Sequence, residues 1–295
     1  QQIWIKRWCY LIILPGMAYF LLFKYVPMYG IQLAFKEFNI AEGISASPWV
    51  GWANFELLFR DREFFLALKN TLIISYMQLL LFFPFPIVLS ILINEVKPMR
   101  YKRSVQTILT FPHFLSWVVI GATAYAMFAT NSGVINTLIA NAGKSPIPFL
   151  QEDAWWLFSY ILIGIWQTMG WGTIIYLAAI TNVNSELYEA AKVDGANRWQ
   201  QCLHVTLPCI RSTIVVMLIM QLGKLMGGSF ERIVALSNAK ATEYTTTIPV
   251  LVFKWFQGNK FSESTALGLF QSVIGVILVV ASDKIAKKLG EDGLL

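Results

Sequence analysis

The chain has 295 residues, of which 56% are hydrophobic, 15% aromatic and only 14% charged, and its mean hydropathy is +0.57. This composition is too apolar for an ordinary soluble domain and indicates a chain whose solvent is the lipid bilayer. The formal net charge of +6 does not indicate nucleic-acid binding, because Lys and Arg are spread between apolar segments instead of being gathered on one soluble face.

Six apolar segments are each long enough to cross a hydrocarbon core of about 30 Å at about 1.5 Å per residue. They predict transmembrane helices over residues 8–35, 70–94, 104–130, 155–181, 211–235 and 264–284. Lys24 and Pro27 interrupt the first segment, which is either one long kinked helix or a span followed by an interfacial helix. Pro84 and Pro86 are expected to bend the second. No repeat or linker divides residues 1–295, so we expect one all-α, polytopic membrane domain.

Positive charges predict the orientation, because cytoplasmic loops carry an excess of Lys and Arg. The segments predicted to be cytoplasmic carry Lys6, Arg7, Lys97, Arg100, Lys102, Arg103, Lys192, Arg198, Arg211, Lys284, Lys287 and Lys288. Both termini are therefore predicted to be cytoplasmic. The outer segments 36–69 and 236–263 mix aromatic and charged residues, and they either pack against a partner or form an aromatic belt at the interface.

The cytoplasmic segment 185–208 is predicted to form two short helices. Asn184 or Ser185 can cap the first helix, and Gly195 permits the positive φ angle that ends a helix sharply. Asn197 can cap the second helix in the same way.

The first of these helices suits docking against another protein. Small residues on its surface let a partner backbone approach closely, and its carboxylates can meet arginines of that partner. The candidate coupling residues are Glu186, Glu189, Ala190, Ala191, Asp194, Gly195 and Ala196. On physical grounds alone, an ordinary interhelical loop remains the alternative.

The same segment contains Glu189-Ala190-Ala191, then Gly195, and later Val205-Thr206-Leu207-Pro208. This pattern resembles the signature of the permease subunits of binding-protein-dependent ATP-binding-cassette importers. The resemblance implies a type I importer permease fold. It also implies that residues 185–208 form a coupling loop, which sits in a groove of a nucleotide-binding subunit and transmits its closure to the membrane helices.

Further motifs resemble the carbohydrate class of these permeases, in the branch that imports oligosaccharides released from polysaccharides, alginate among them. They are Leu14-Pro15-Gly16, the stretch from Phe23 to Gly30, the stretch from Val50 to Phe55, and Asn70-Thr71-Leu72. The resemblance implies ATP-driven import of an oligosaccharide or polysaccharide, possible substrates including an alginate-like uronate, by alternating access. It implies a heterodimer with a second permease, two ATPase subunits, an extracytoplasmic solute-binding protein, and a place in the bacterial inner membrane.

The chain itself is not expected to be an enzyme. It contains no GxxxxGK[ST] loop for nucleotide phosphates, since Gly223-Lys224 is followed by Leu225, so ATP and Mg²⁺ would be bound by partner subunits. It also contains no HExxH or GxSxG motif. A secondary active transporter is the alternative function, but the matching Gly/Pro-broken helices expected of one are not evident in the sequence.

Cysteine and histidine spacing does not favour a metal site or a disulfide framework. Cys9, Cys202 and Cys209 form no CxxC pair, and His113 and His204 lie far apart. Cys9 lies in an apolar segment, where a small buried hydrophobic residue is the simpler interpretation. We therefore expect no metal or cofactor bound by this chain.

A candidate substrate path centres on Lys224, because a cation inside a span is costly unless it faces protein or water. The alternatives are that Lys224 snorkels to the interface or forms a structural pair. Aromatic residues of the fourth span are either platforms for a sugar or ordinary packing. The path candidates are Gln221, Lys224, Gly227, Gly228, Trp171 and Tyr176, with Trp166 as a further aromatic residue.

Overall fold

The computed structural model describes residues 7–237, 243–290 and 293. Within these ranges the regular structure is helical, and the β-structure is limited to an isolated bridge between Lys36 and Trp49. Lys6, used in the orientation argument, lies outside the described residues, as does the side chain of Cys9. The expected all-α fold class is confirmed.

Four helices are long and apolar enough to cross a membrane, and they are Tyr10–Phe35, Arg62–Glu95, Asp153–Thr181 and Phe261–Lys288. Two further pairs of helices pass the same test only when taken together. Met99–Phe114 and Trp117–Phe128 meet at a bend of 99°, and Arg198–Cys209 and Arg211–Gly223 meet at a bend of 63°. The described residues therefore supply up to six spans, as the sequence predicts.

The helices are numbered in chain order. The first half contains α1 Arg7–Phe20, α2 Gly43–Ala46, α3 Ala53–Arg60, α4 Arg62–Met77, α5 Pro84–Glu95, α6 Met99–Thr110, α7 Trp117–Phe128, α8 Val134–Asn141 and α9 Asp153–Thr181. The second half contains α10 Ser185–Val193, α11 Arg198–Gln201, α12 Leu207–Cys209, α13 Arg211–Gly223, α14 Phe230–Leu236, α15 Ile248–Gln257 and α16 Phe261–Lys288. Short π-helices occupy Leu21–Tyr25, Gln78–Phe82 and Cys202–Thr206, and 3₁₀ helices occupy Val26–Phe35 and Phe111–Phe114.

Proline accounts for irregular turns in the first two spans, because it lacks the N–H that would complete an α-helical ladder. The first span is helical throughout, and its 3₁₀ segment Val26–Phe35 begins one residue before Pro27. In the second span, the π-helical turn Gln78–Phe82 ends two residues before Pro84.

The third and fifth spans differ from the single helices that the sequence predicts. The segment 104–130 breaks after the 3₁₀ turn that contains Pro112, and Leu115 and Ser116 are extended. The segment 211–235 is helical only to Gly223, and a run of turns over 224–229 separates it from α14. The first break lies in an apolar stretch, and at the second Leu225 and Met226 lie among polar and small residues, so an average over the whole segment conceals both breaks.

The chain packs as two compact units. One contains Gln1–Phe65 and Leu251–Gln271, and the other contains Leu66–Val250 and Ser272–Leu295. In the first unit, the buried amide of Asn54 donates hydrogen bonds of 3.0 Å to the carbonyl oxygens of both Ala34 and Lys36. This amide ties the end of the first span to α3.

Helix α9 is the central helix of the second unit and packs against α5, α6 and α14. Trp156 and Tyr160, both on α9, lie in its buried core. Gly170 is required where α6 reaches α9, since a Cβ at this position would lie 1.9 Å from the carbonyl oxygen of Leu109. The end of α6 therefore meets the middle of a 29-residue helix.

Candidate coupling loop and transport path

The two helices of segment 185–208 begin at the capping residues expected from the sequence. The side chain of Asn184 accepts a hydrogen bond of 3.0 Å from the backbone N–H of Glu186 at the start of α10. Asn197 and Gln200 form a reciprocal capping box at the start of α11. These caps satisfy backbone donors that a helix start leaves without partners.

Gly195 ends α10 with the left-handed residue that the sequence predicts, at φ +79°. The N–H of Ala196 donates to the carbonyl oxygen of Ala191 at 2.8 Å, and the N–H of Gly195 donates to that of Lys192 at 3.1 Å. These two bonds are those of a Schellman motif. Gly195 therefore ends α10 sharply, and α11 begins three residues later at Arg198.

The predicted coupling residues lie at the surface of the helix pair α10 and α11. Glu186, Glu189, Ala190, Asp194 and Gly195 are exposed, while Ala191 and Ala196 are half-buried. Sequence analysis missed two apolar side chains beside them, since Val193 is 88% exposed and Trp199 is 69% exposed. The sequence did contain a signal for them. Large apolar residues in a short polar loop have no hydrophobic core to pack into, and they therefore indicate an interaction surface.

A hollow of about 310 Å³ lies between α10 and the residues that follow α11. It is lined by Ala191, Asp194, Gly195, Ala196, Gln200, His204 and Val205. Small residues on one side and polar groups on the other allow a partner side chain to enter without displacing the backbone.

Three polar contacts hold the pair in place. Tyr188 and Thr206 share a hydrogen bond of 3.0 Å between their hydroxyl groups, and the buried side chain of Gln201 donates to the carbonyl oxygen of Ala196 at 2.8 Å. Arg198 forms an ion pair of 2.6 Å with Glu95 at the end of α5. That pair is exposed and worth only about 0.2–1 kcal/mol, so it orients the loop more than it stabilises it.

The predicted path residues are distributed over several environments. Lys224 is exposed at the C-cap of α13, Gln221 is half-buried, and Gly227 and Gly228 are exposed. Their role in a substrate path stays a prediction.

The aromatic candidates lie on a different helix, α9. Trp171 stacks on His113, with ring centroids 4.5 Å apart, and Tyr176 is only 2% exposed inside the second unit. Trp166 is partly exposed. Among the described residues, no hydrogen bond or ring contact joins Trp171 or Tyr176 to Lys224.

Broken spans correct one argument from the sequence, in which no such break was evident. The break at Leu115 follows α6, whose end lies against Gly170 near the middle of α9. Non-helical backbone within a span is tolerated where it is buried in protein or lines a water-filled cavity. Broken helices therefore do not separate a secondary transporter from the other candidates, and the family assignment has to do so.

Comparison with known proteins decides the family. Residues 67–289 match the family described as "Binding-protein-dependent transport system inner membrane component". The chain is 46% identical over 290 residues to the polygalacturonan/rhamnogalacturonan transport system permease protein YteP of Bacillus subtilis (strain 168), covering 98% of this chain and 90% of that relative. It is 40% identical over 289 residues to the protein LplB of the same organism, covering 98% and 91% of the two chains.

Solved structures agree with this assignment. A chain of the bacterial alginate ABC transporter in complex with alginate pentasaccharide-bound periplasmic protein superposes with a TM-score of 0.90 at 35% identity, covering 99% of this chain and 98% of that one. A chain of a bacterial ABC transporter involved in the import of the acidic polysaccharide alginate gives 0.89 at 36% identity, with 97% of both covered. The chain therefore belongs to the binding-protein-dependent transport system inner membrane components, as a multi-pass permease subunit of a sugar ABC importer with the type I permease fold.

Proposed function

We propose that this permease couples the import of an acidic oligosaccharide to ATP hydrolysis by separate ATPase subunits, through the loop 185–208. The observation that carries the proposal is the exposed, capped pair α10 and α11. Its carboxylates, small residues and exposed Val193 and Trp199 surround a hollow that fits part of another protein. Exposed apolar side chains next to a recess are typical of protein interfaces.

The first span supports a second permease as partner. None of the most apolar stretch of Tyr10–Phe35 is buried within this chain. A groove of about 580 Å³ along it is lined by apolar side chains that include Ile13, Met17 and Phe20. A homologous permease that packs against this helix would cover the groove and enclose a sugar-sized path between the two chains.

The relatives support the substrate class and the remaining partners. YteP is named for polygalacturonan and rhamnogalacturonan, and the solved transporters are named for alginate. A chain 46% identical to the first over nearly its whole length is therefore proposed to carry an oligosaccharide with uronate residues. An extracytoplasmic binding protein delivers this sugar, and two ATPase subunits bind ATP and Mg²⁺. An even number of spans puts both termini on the same side of the membrane, and the excess of Lys and Arg in the inner loops makes that side the cytoplasm.

Alternating access is the proposed mechanism. Closure of the ATPases on ATP moves the loop 185–208, and the spans then reorient around the path between the two permeases. The break at Leu115 in the third span and the turns over 224–229 in the fifth are places where such a change can occur without unwinding an intact helix. This chain itself changes no covalent bond.

Co-purification tests the proposal. The tagged chain, expressed with its predicted partners, should retain a second permease and the ATPase subunits in mild detergent. Gly195→Pro should remove the ATPases but leave the permease pair, because proline cannot adopt φ +79°. Gly143→Pro is the matched control, since Gly143 has φ +73° and lies outside the loop. Retention of the ATPases by the Gly195→Pro variant would contradict the proposal.

A further inference from the structure

Arg232 is a buried cation without a counter-charge. It lies on α14 and is only 8% exposed, and its Nε and Nη1 atoms are buried and make no hydrogen bond. Among the described residues, no carboxylate forms an ion pair with it. Burying an unpaired guanidinium is costly, so a residue kept in this condition requires an explanation.

Three aromatic rings surround the guanidinium. Its central carbon lies 4.9 Å from the ring centroid of Phe82, 4.7 Å from that of Trp117 and 5.4 Å from that of Tyr160. Gly164 forms a further wall, where a Cβ would lie 2.7 Å from Nη1. Ring faces attract the cation, but they offer no acceptor for the N–H groups at Nε and Nη1.

Neutral polar groups complete the cluster. The side-chain amide of Gln78 donates to the hydroxyl of Tyr160 at 2.8 Å and to that of Ser229 at 2.6 Å. Gln78, Trp117 and Ser229 are only half-buried, so the cluster reaches the surface of its unit. Amides, hydroxyls and aromatic faces suit the ring and hydroxyls of a sugar, and a guanidinium suits a carboxylate.

The backbone is irregular on three sides of this cluster. Gln78 and Phe82 begin and end a π-helical turn, Trp117 is the first residue after the break in the third span, and Ser229 has a left-handed φ of +85° at the end of the turns over 224–229. Conformations of this kind cluster at ligand sites. Three irregular backbone segments around one unpaired cation indicate a site whose conformation can open.

We infer that Arg232, with Gln78 and Trp117, binds the carboxylate of a uronate residue in the transported sugar. This inference rests on the proposed function. In the conformation described here the aromatic rings close over the guanidinium, and in the loaded state a carboxylate accepts hydrogen bonds from the free N–H groups. Lys224, the cation that the sequence singled out, is exposed within this chain, whereas Arg232 is buried.

Uptake by the complete importer in proteoliposomes tests the inference, with trigalacturonate and its methyl ester as substrates. Rates are expressed per loaded binding protein, so that the binding protein's own preference does not enter. Arg232→Gln should lower the ratio of acid to ester uptake about tenfold, the effect of one charge-assisted contact. Arg232→Lys should keep more of the ratio than Arg232→Gln. Arg103→Gln, which removes an exposed arginine, should leave it within about twofold.

The possible results separate the two proposals. If the wild-type importer carries neither sugar, the proposed function fails. If it carries the acid but Arg232→Gln slows both sugars equally, Arg232 is only structural, and a ratio that changes in Lys224→Gln instead would move the site to Lys224. Should the Arg232 variants fail to assemble, thermal stability of the wild-type complex gives the answer. Trigalacturonate should raise the midpoint and the ester should not, and equal shifts, or no shift with the acid, would overturn the inference.

Discussion

At the level of single residues, Gly195 decides how α10 ends. Its φ of +79° is one that an L-residue adopts only at a cost of about 1–2 kcal/mol. Apart from its chain neighbours, no atom of this chain lies within 4 Å of the position where a Cβ would be, so within this chain backbone conformation alone favours glycine here. The geometry of the coupling pair thus depends on one missing side chain.

Gly195→Ala should weaken the binding of the ATPase subunits about fivefold, which corresponds to about 1 kcal/mol. Gly195→Asn should have a smaller effect, because asparagine tolerates the left-handed region better. Gly143→Ala carries the same backbone cost outside the loop and should leave the affinity unchanged. Affinity is measured with purified ATPase and permease in detergent, and equal losses in all three variants would argue against a docking role for the turn.

At the level of elements, the coupling pair carries its apolar side chains outward. Val193 and Trp199 are exposed, so neither side chain is packed into the core of this chain. A tryptophan in solvent contributes little to folding, but at an interface it is among the residues that contribute most to affinity.

Trp199→Ala should lower the affinity for the ATPase subunits roughly thirtyfold, as expected for the loss of about 2 kcal/mol at a buried interface residue. The thermal stability of the permease alone should not change, because the ring is already exposed. Tyr101→Ala, which removes an exposed aromatic ring of α6 outside the loop, serves as the control. If Trp199→Ala lowers stability without lowering affinity, the ring has a structural role in this chain.

Gly170→Ala should destabilise the permease by about 1–3 kcal/mol, the usual effect of overpacking. The added methyl group would lie 1.9 Å from the carbonyl oxygen of Leu109, and backbone cannot move aside as a flexible side chain can. Gly268→Ala, with open space around the new Cβ, is the helical control. Thermal melting of the purified protein measures both, and an unchanged midpoint for Gly170→Ala would refute the close approach of α6 to α9.

Local rules predicted the elements better than they predicted the interruptions. The caps at Asn184 and Asn197 and the stop at Gly195 depend on neighbours within a few residues, and the sequence is sufficient for such contacts. The break at Leu115 and the unpaired Arg232 depend on residues far apart in the chain. Hydropathy averages over windows of about 19 residues and therefore passes over a break of two extended residues.

At the level of the whole molecule, the two compact units share one feature, which is apolar surface that this chain alone does not cover. The first span, with none of its most apolar stretch buried, is the clearest case. Lipid could cover such a helix, and so could a second permease. The two possibilities make different predictions for the same substitutions.

Replacing Met17, Phe20 and Leu21 together by alanine should dissociate the permease heterodimer while leaving the single chain inserted in the membrane. These side chains line the groove of the first span and are exposed within their own unit. If lipid alone covers the helix, the substitutions remove no contact with a second permease, and the heterodimer stays intact. Gel filtration of the detergent-solubilised pair distinguishes the two cases, and an unchanged heterodimer would favour lipid.

The most direct test of the central claim is the amount of sugar moved per ATP hydrolysed by the complete importer in proteoliposomes. Glu189 is an exposed carboxylate of the coupling pair, so Glu189→Gln should lower this ratio about tenfold, for a loss of about 1.4 kcal/mol in coupling, with insertion unchanged. Lys288→Ala, at another exposed position, should keep the wild-type ratio. A wild-type ratio in Glu189→Gln, together with normal retention of the ATPases by Gly195→Pro, would contradict the assignment of residues 185–208 as the element that couples hydrolysis to transport.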